Sequence, residues 1–113
     1  MTFILHTGDC NGLVSDADHL VYRWDRDDCL ILFSVCRKGD AASCHFSSDK
    51  KGLRKVKEAI EAFSAFLFFE FKWCKMIIAQ ITIPSVCRIV EKLNFEYLGT
   101  CKGCEIYIRG EHG

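Results

Sequence analysis

Apolar and polar positions along the chain follow two periods, and the change from one to the other divides the sequence. Residues 20–24 (Leu-Val-Tyr-Arg-Trp) read as a short strand, followed by a polar turn, Asp-Arg-Asp-Asp, at 25–28. Residues 29–36 form a continuous apolar run from Cys29 to Cys36, which suits a strand covered on both faces. A second turn at 37–40 contains Gly39, and a third strand is expected over 41–47. Tight polar turns between such runs predict an antiparallel meander.

The period then lengthens. Leu53, Val56, Ile60, Phe63 and Leu67 recur at three- and four-residue spacings among lysines and glutamates, predicting an amphipathic helix with one buried stripe. Ser47, Ser48 and Asp49 offer side-chain oxygens to its first turn. Residues 75–81 read as a buried strand. Pro84 sits where a helix start tolerates a missing donor. Val86, Ile89, Val90 and Leu93 give the second helix its stripe, and Asn94 can end it in the left-handed conformation. A hairpin closes the pattern, with strands at 95–98 and 105–108 and a turn through Lys102 and Gly103. The expected fold is α/β of the α+β type: a mixed, mostly antiparallel twisted sheet flanked by two main helices, in one domain over 1–113 with its core at about 20–108.

Composition sharpens this picture in three ways. Half of the 113 residues are apolar and nine are Phe, ample for one core and too little chain for two. Fifteen basic residues balance fifteen acidic ones, so no global field draws the chain to nucleic acid or an anionic membrane, and low net charge favours a homodimer. The most apolar stretch, 62–83, is broken by Glu70, Lys72, Lys75 and Gln80, unlike a membrane span. The first residues lack the basic and apolar regions of a secretion signal, so a cytoplasmic location is expected, with the eight cysteines reduced. Cys29, Cys36, Cys74 and Cys87 lie in apolar surroundings, where Cys behaves as a small hydrophobe.

One segment carries a resemblance. Glu-Lys-Leu-Asn-Phe at 91–95 is similar to the E-K-L-G-F ending of the last core helix in acetyltransferases of the GNAT superfamily. Asp-Lys-Lys-Gly-Leu-Arg at 49–54, after a strand and before a long helix, stands where that family carries Q/R-x-x-G-x-G/A. The resemblance spans roughly 20–108. The small size resembles the short GNAT-like proteins of bacteriophages, which include virion components, so virion association is the alternative location.

The resemblance implies a GNAT-like fold and a site for acetyl-CoA. In the family a splayed pair of central strands binds the pantetheine arm, and the glycine loop with its helix N-terminus holds the pyrophosphate, because first-turn amides and the helix dipole favour an anion. By position, Gly52 is the loop glycine, Leu53 and Arg54 supply neighbouring amides, Lys50, Lys51 and Arg54 pair with phosphates, and Ser85 lies at the second helix start. Several positions depart from the pattern. Asp49 puts an anion at the phosphate site, and Arg54 replaces a small residue. Val90 stands where many active members carry the Tyr that protonates the departing thiolate. No carboxylate falls within 41–47 to act as general base, and too few residues precede Leu20 for the two helices that wall the acceptor pocket. Tyr97 and Tyr107 are the catalytic candidates, with His45 and Glu105 as further groups able to move a proton.

Other patterns are weaker. Cys101-Lys-Gly-Cys104 is half of a zinc site, completed only if the fold brings up His6 with Cys10, or His112; no metal is expected. No His is placed diagnostically for a Cys/His pair. Phe63, Phe66, Phe68, Phe69, Phe71 and Trp73 exceed one helical stripe, and any exposed surplus would suit a dimer or partner interface. Two functions follow. One is an N-acetyltransferase moving acetyl from acetyl-CoA to an amine of unknown identity. The other is a GNAT-like protein without catalysis that binds a macromolecular partner.

Overall fold

The computed structural model describes residues 3–10, 12–13, 18–49 and 51–111. Its elements are β1 (Ile4–Leu5), β2 (His19–Arg26), β3 (Cys29–Lys38), β4 (Ala41–Ser48), a 3-10 turn (Gly52–Lys55), α1 (Val56–Glu70), β5 (Met76–Ile81), α2 (Pro84–Lys92), β6 (Glu96–Cys101) and β7 (Cys104–Gly110). The strands make one sheet in the order β1-β2-β3-β4-β5-β7-β6. Among the described residues only β4 and β5 pair in parallel, because α1 carries the chain back across the sheet between them. The mixed, mostly antiparallel α+β architecture expected from the sequence is the one found.

The turns explain the antiparallel pairs. Asp27 and Asp28 have φ of 53° and 62°, and Lys102 and Gly103 have φ of 51° and 81°. Left-handed backbone at both central residues is what a two-residue hairpin needs to match the twist of its strands, and Asp tolerates it. Arg26 therefore pairs with Cys29, and Cys101 with Cys104. Asn94, at φ 70°, follows α2 as expected, and the Phe95 amide donates back to the Val90 carbonyl at 3.1 Å.

Both helices cover one face of the sheet. Val56, Ala59, Ile60, Phe63 and Leu67 of α1 and Val86 and Val90 of α2 share one core with Ile31, Phe33, Ala42, Cys44 and Ile77. At its centre Phe63 stacks on Phe33, centroids 4.2 Å apart at 12°, with Phe3 at 5.0 Å. Leu53 departs from the expected stripe. It is 41% exposed because it belongs to the 3-10 turn, whose tighter period rotates it away from the α1 face. The aromatic surplus is mostly absorbed: Phe66 is buried, Phe68, Phe71 and Trp73 pack partly against the core, and Phe69 stands out at 76% exposure. Strand β1 carried no sequence signal, being two exposed residues held by pairing with Tyr22 and Arg23.

On the other face Val21, Leu32, Ser34 and Cys36 are buried. Over β4, β5 and β7 that face is half-open, at His45, Ile78, Gln80, Ile106 and Ile108, and no helix of the described residues covers it. Among the described residues no helix is long and apolar enough to cross a membrane, and no disulfide joins the cysteines.

Truncating Phe63 to Ala removes the centre of the aromatic cluster and is expected to cost roughly 3–5 kcal/mol. Phe69→Ser should stay within about 0.5 kcal/mol of the parent. Urea denaturation of the two variants checks both values.

Candidate functional site

The site begins where the parallel pair ends. Ala41, Ala42, Ser43 and Cys44 pair with Met76, Ile77, Ile78 and Ala79, and there the β4–β5 register stops. Strand β4 stays with β3 as far as Ser48 opposite Ile31, while β5 stays with β7 as far as Ile81 opposite Glu105. Each strand follows its outer partner, so the two part and leave a wedge between residues 45–48 and 80–81. Because they are parallel, the helices that follow them start at the same end of the sheet. The 3-10 turn leading into α1 and the first turn of α2 therefore flank the mouth of the wedge with their positive ends.

A slot runs into this wedge, lined mainly by apolar residues of the helix-covered face and of the two helices. Cys44, Phe46 and Ala79 of the helix-covered face line it, and His45 and Gln80, between and beside them on the parted strands, also border it. Val90 and Phe95 close it from the side of α2, and Phe63 and Ser64 from α1. Its volume is about 40 Å³, room for a water or two. On the opposite face of the sheet the Gln80 amide donates to Ser43 Oγ at 2.8 Å. Burial, and then the like charge of His19, hold the His45 imidazole below the ordinary histidine value. In the wall, Ser64 Oγ donates to the Ile60 carbonyl at 2.8 Å.

The loop at the mouth is already satisfied by its own chain. Asp49 Oδ1 accepts the Gly52 amide hydrogen at 2.5 Å, and the Arg54 amide donates to the Lys51 carbonyl at 3.2 Å. Gly52 is buried, and a Cβ there would run into Ser48 Oγ and lie 3.0 Å from Ile31 Cγ1. The loop requires glycine for space within the fold, irrespective of any ligand. Lys51, Leu53 and Arg54 are exposed at the turn, and Ser85 is exposed in the first turn of α2. Lys50 lies outside the described residues. The structure thus brings Lys51, Gly52, Leu53, Arg54 and Ser85 to one end of the parallel pair.

The two tyrosines are elsewhere. Tyr107 on β7 is buried under α2 and donates to Glu91 Oε2 at 2.7 Å; that hydrogen bond, with burial, raises its pKa. Tyr97 on the edge strand is 54% exposed and donates to Glu105 Oε1 at 2.7 Å. Neither lines the slot. Tyr107 and Glu105 instead border a separate groove of about 400 Å³ beside Cys87 and Arg88, between α2 and the β6–β7 hairpin. Val90, the position where many of the resembling enzymes carry Tyr, does line the slot. Cys101 and Cys104 face each other across the hairpin turn, and the described residues contain no cluster of three or more metal-ligating side chains. His112 lies outside the described residues.

No family model and no curated protein sequence matches the chain. Solved structures do. A chimera of the Vibrio cholerae spermidine N-acetyltransferase SpeG matches with a TM-score of 0.66 at 12% identity, covering 86% of this chain and 69% of its own. The Campylobacter jejuni N-acetyltransferase PseH, in complex with acetyl coenzyme A, matches at 0.61 and 14%, covering 85% and 70%. A domain from Methanocaldococcus jannaschii matches at 0.64 and 11%, covering 85% and 69%. The fold is the GNAT fold. The parted central strands of this GNAT-fold chain were implied by the resemblance. His45 was among the sequence candidates, whereas Gln80 and Cys44 entered the slot only once the strands were aligned, because strand alternation alone does not say where a pair separates.

Adding a methyl group in Gly52→Ala should cost about 1–3 kcal/mol through overpacking against Ser48 and Ile31, read by chemical denaturation. The depressed pKa of His45 makes the unfolded chain bind more protons than the folded one just below pH 6.5. Stability contributed by neutral His45 is therefore present above pH 6.5 and lost as the pH falls toward the folded value. Melting temperatures between pH 7.5 and about 5 should fall less steeply for His45→Gln than for the parent.

Proposed function

We propose that this protein is an N-acetyltransferase that holds acetyl-CoA in the wedge between β4 and β5 and delivers acetyl to an amine. The observation that carries this reading is the end of β4–β5 pairing after Cys44 and Ala79, with a slot between the sheet and the helices at that point. The helix starts at Gly52 and Ser85 border its mouth, where a pyrophosphate would gain from first-turn amides and from the cations Lys51 and Arg54. Cofactor use is supported by the fold shared with PseH, which is seen with acetyl coenzyme A. The acceptor amine is unknown; spermidine, the substrate named for the SpeG structures, is a first candidate.

The bound thioester fits only if the slot opens. Its present volume is far below that of a pantetheine arm, so Phe46, partly buried at the parting of the strands, has to move outward as the arm enters. A bare pyrophosphate at the loop must also displace the Asp49 carboxylate from the Gly52 amide. These two features favour a second reading, in which the chain keeps the fold, binds no acetyl-CoA and serves a macromolecular partner.

Melting curves with and without millimolar acetyl-CoA separate the readings. A ligand binding only the folded state at one hundred times its dissociation constant adds about 2.7 kcal/mol, a rise of roughly 10 °C or more for a domain near 100 residues. In Asp49→Asn the side-chain oxygen can still accept from the Gly52 amide, but the charge is gone. That variant should bind acetyl-CoA more tightly than the parent, on the order of tenfold, or about 1.4 kcal/mol. A rise in the parent that grows in Asp49→Asn is the expected result. If neither protein responds, the partner-binding reading takes its place.

A further inference from the structure

The turn between β6 and β7 carries the C-x-x-C pair that the slot does not use. Cys101 and Cys104 stand directly opposite each other, one on either side of the left-handed turn Lys102-Gly103. Residues that flank a two-residue turn exchange the first ladder hydrogen bonds, which sets their Cα atoms about 5.5 Å apart. That separation lies within the range a disulfide spans, roughly 4.4–6.8 Å. Being opposite, the two side chains leave the sheet on the same face. Cys101 is exposed and Cys104 half-buried, whereas Cys29, Cys36, Cys44 and Cys74 are buried.

The place of the pair in the sheet matters as much as its spacing. Pairing of β5 with β7 ends at Ile81 opposite Glu105, so Cys104 and the turn project past the end of β5. Strand β6 is an edge, held in the sheet by β7 alone, and its register slips between Tyr97 and Gly99. A two-stranded ribbon of this kind is marginal by itself. Gly103 and Glu105 at this tip line the groove of about 400 Å³, together with Thr82, Cys87 and Arg88 in and just before α2. A covalent link between Cys101 and Cys104 acts on the least supported part of that lining.

We propose that Cys101 and Cys104 are a reversible thiol–disulfide site, oxidised by exchange with a low-molecular-weight disulfide such as glutathione disulfide. The Cys101 thiolate attacks one sulfur of the small disulfide. A Cys101–glutathione bond forms, the small S–S bond breaks, and one glutathione thiolate leaves. The Cys104 thiolate then attacks the Cys101 sulfur and expels the second glutathione thiolate. The two protons given up by the cysteines go to the two glutathione thiolates, and the protein loses the two electrons that the small disulfide gains. Bridging needs Cβ atoms about 3.8 Å apart, whereas those of a hydrogen-bonded cross-strand pair lie nearer 5.5 Å, so the closed form is strained and easily reduced. The loop it closes is only Cys101 to Cys104, too short to restrain the unfolded chain much. The bond therefore opens and closes with the thiol poise instead of stapling the fold. This chemistry uses neither the slot nor acetyl-CoA.

The test is peptide mapping of the folded protein after incubation with glutathione disulfide, with the remaining thiols alkylated under denaturing conditions before digestion. Trypsin cuts after Lys92, Lys102 and Arg109, so the two cysteines fall on separate peptides, 93–102 and 103–109. The expected result is that these peptides stay joined, that reduced glutathione separates them, and that Cys101 and Cys104 react roughly tenfold or more faster than the buried cysteines. Cys104→Ser should stop at a glutathione adduct on Cys101, and melting curves of both proteins check that each is folded. A lasting glutathione adduct on Cys101 in the parent, with no joined peptides, would overturn the proposal. So would a failure of both thiols to react, a bond from either to Cys10 or Cys87, or joined peptides that reduced glutathione does not separate.

Discussion

Two antiparallel pieces of sheet are held together by one short parallel seam. On one side of it stand β1 to β4, joined by tight turns; on the other stand β5, β7 and β6. The seam runs from Ala41 opposite Met76 to Cys44 opposite Ala79, and it is extended outward by the Lys75 amide donating to the Asp40 carbonyl at 2.7 Å. Beyond Cys44 each strand obeys its outer partner. The opening and the convergence of both helix starts on its mouth follow from where this pairing stops. Helix α1 braces the seam by laying Ala59, Ile60 and Phe63 over the residues beneath it.

The loop at the mouth illustrates how a motif can be read twice. A glycine before a helix invites a ligand-based explanation, since it allows close approach to phosphate. Here the neighbours of Gly52 explain it without a ligand: Ser48 Oγ and Ile31 occupy the space of a side chain, and Asp49 takes its amide. The same backbone that would receive an anion already holds one. A carboxylate in that place is a competitor whose strength depends on its charge, so affinity for a phosphate-bearing ligand is set at position 49 as much as at position 52.

Much of the fold was legible because its signals are local. Period-two and period-3.6 patterns marked the long strands and both helices, and Pro84, Asn94 and the Lys102-Gly103 pair marked their ends through backbone chemistry. Strand β1 was not legible, because two residues carry no period. Leu53 was misassigned to the buried stripe because a 3-10 turn and an α-helix share their first spacing. The site was legible only through the resemblance. Gly52 and Ser85 could be placed by motif, whereas His45 and Gln80 reach the same slot from strands distant in sequence, and no local pattern says where those strands part.

The parallel seam also has a temporal consequence. The β2–β3, β3–β4 and β6–β7 pairs close across tight turns, so each can form soon after the chain collapses. The seam joins Ala41 to Met76 only after the whole of α1 has been laid down between them, and the β5–β7 pairing likewise waits for α2. Closing such distant contacts costs chain entropy before they contribute stability. The contacts that define the slot therefore carry the largest closure cost of the sheet, because the chain between their partners is the longest.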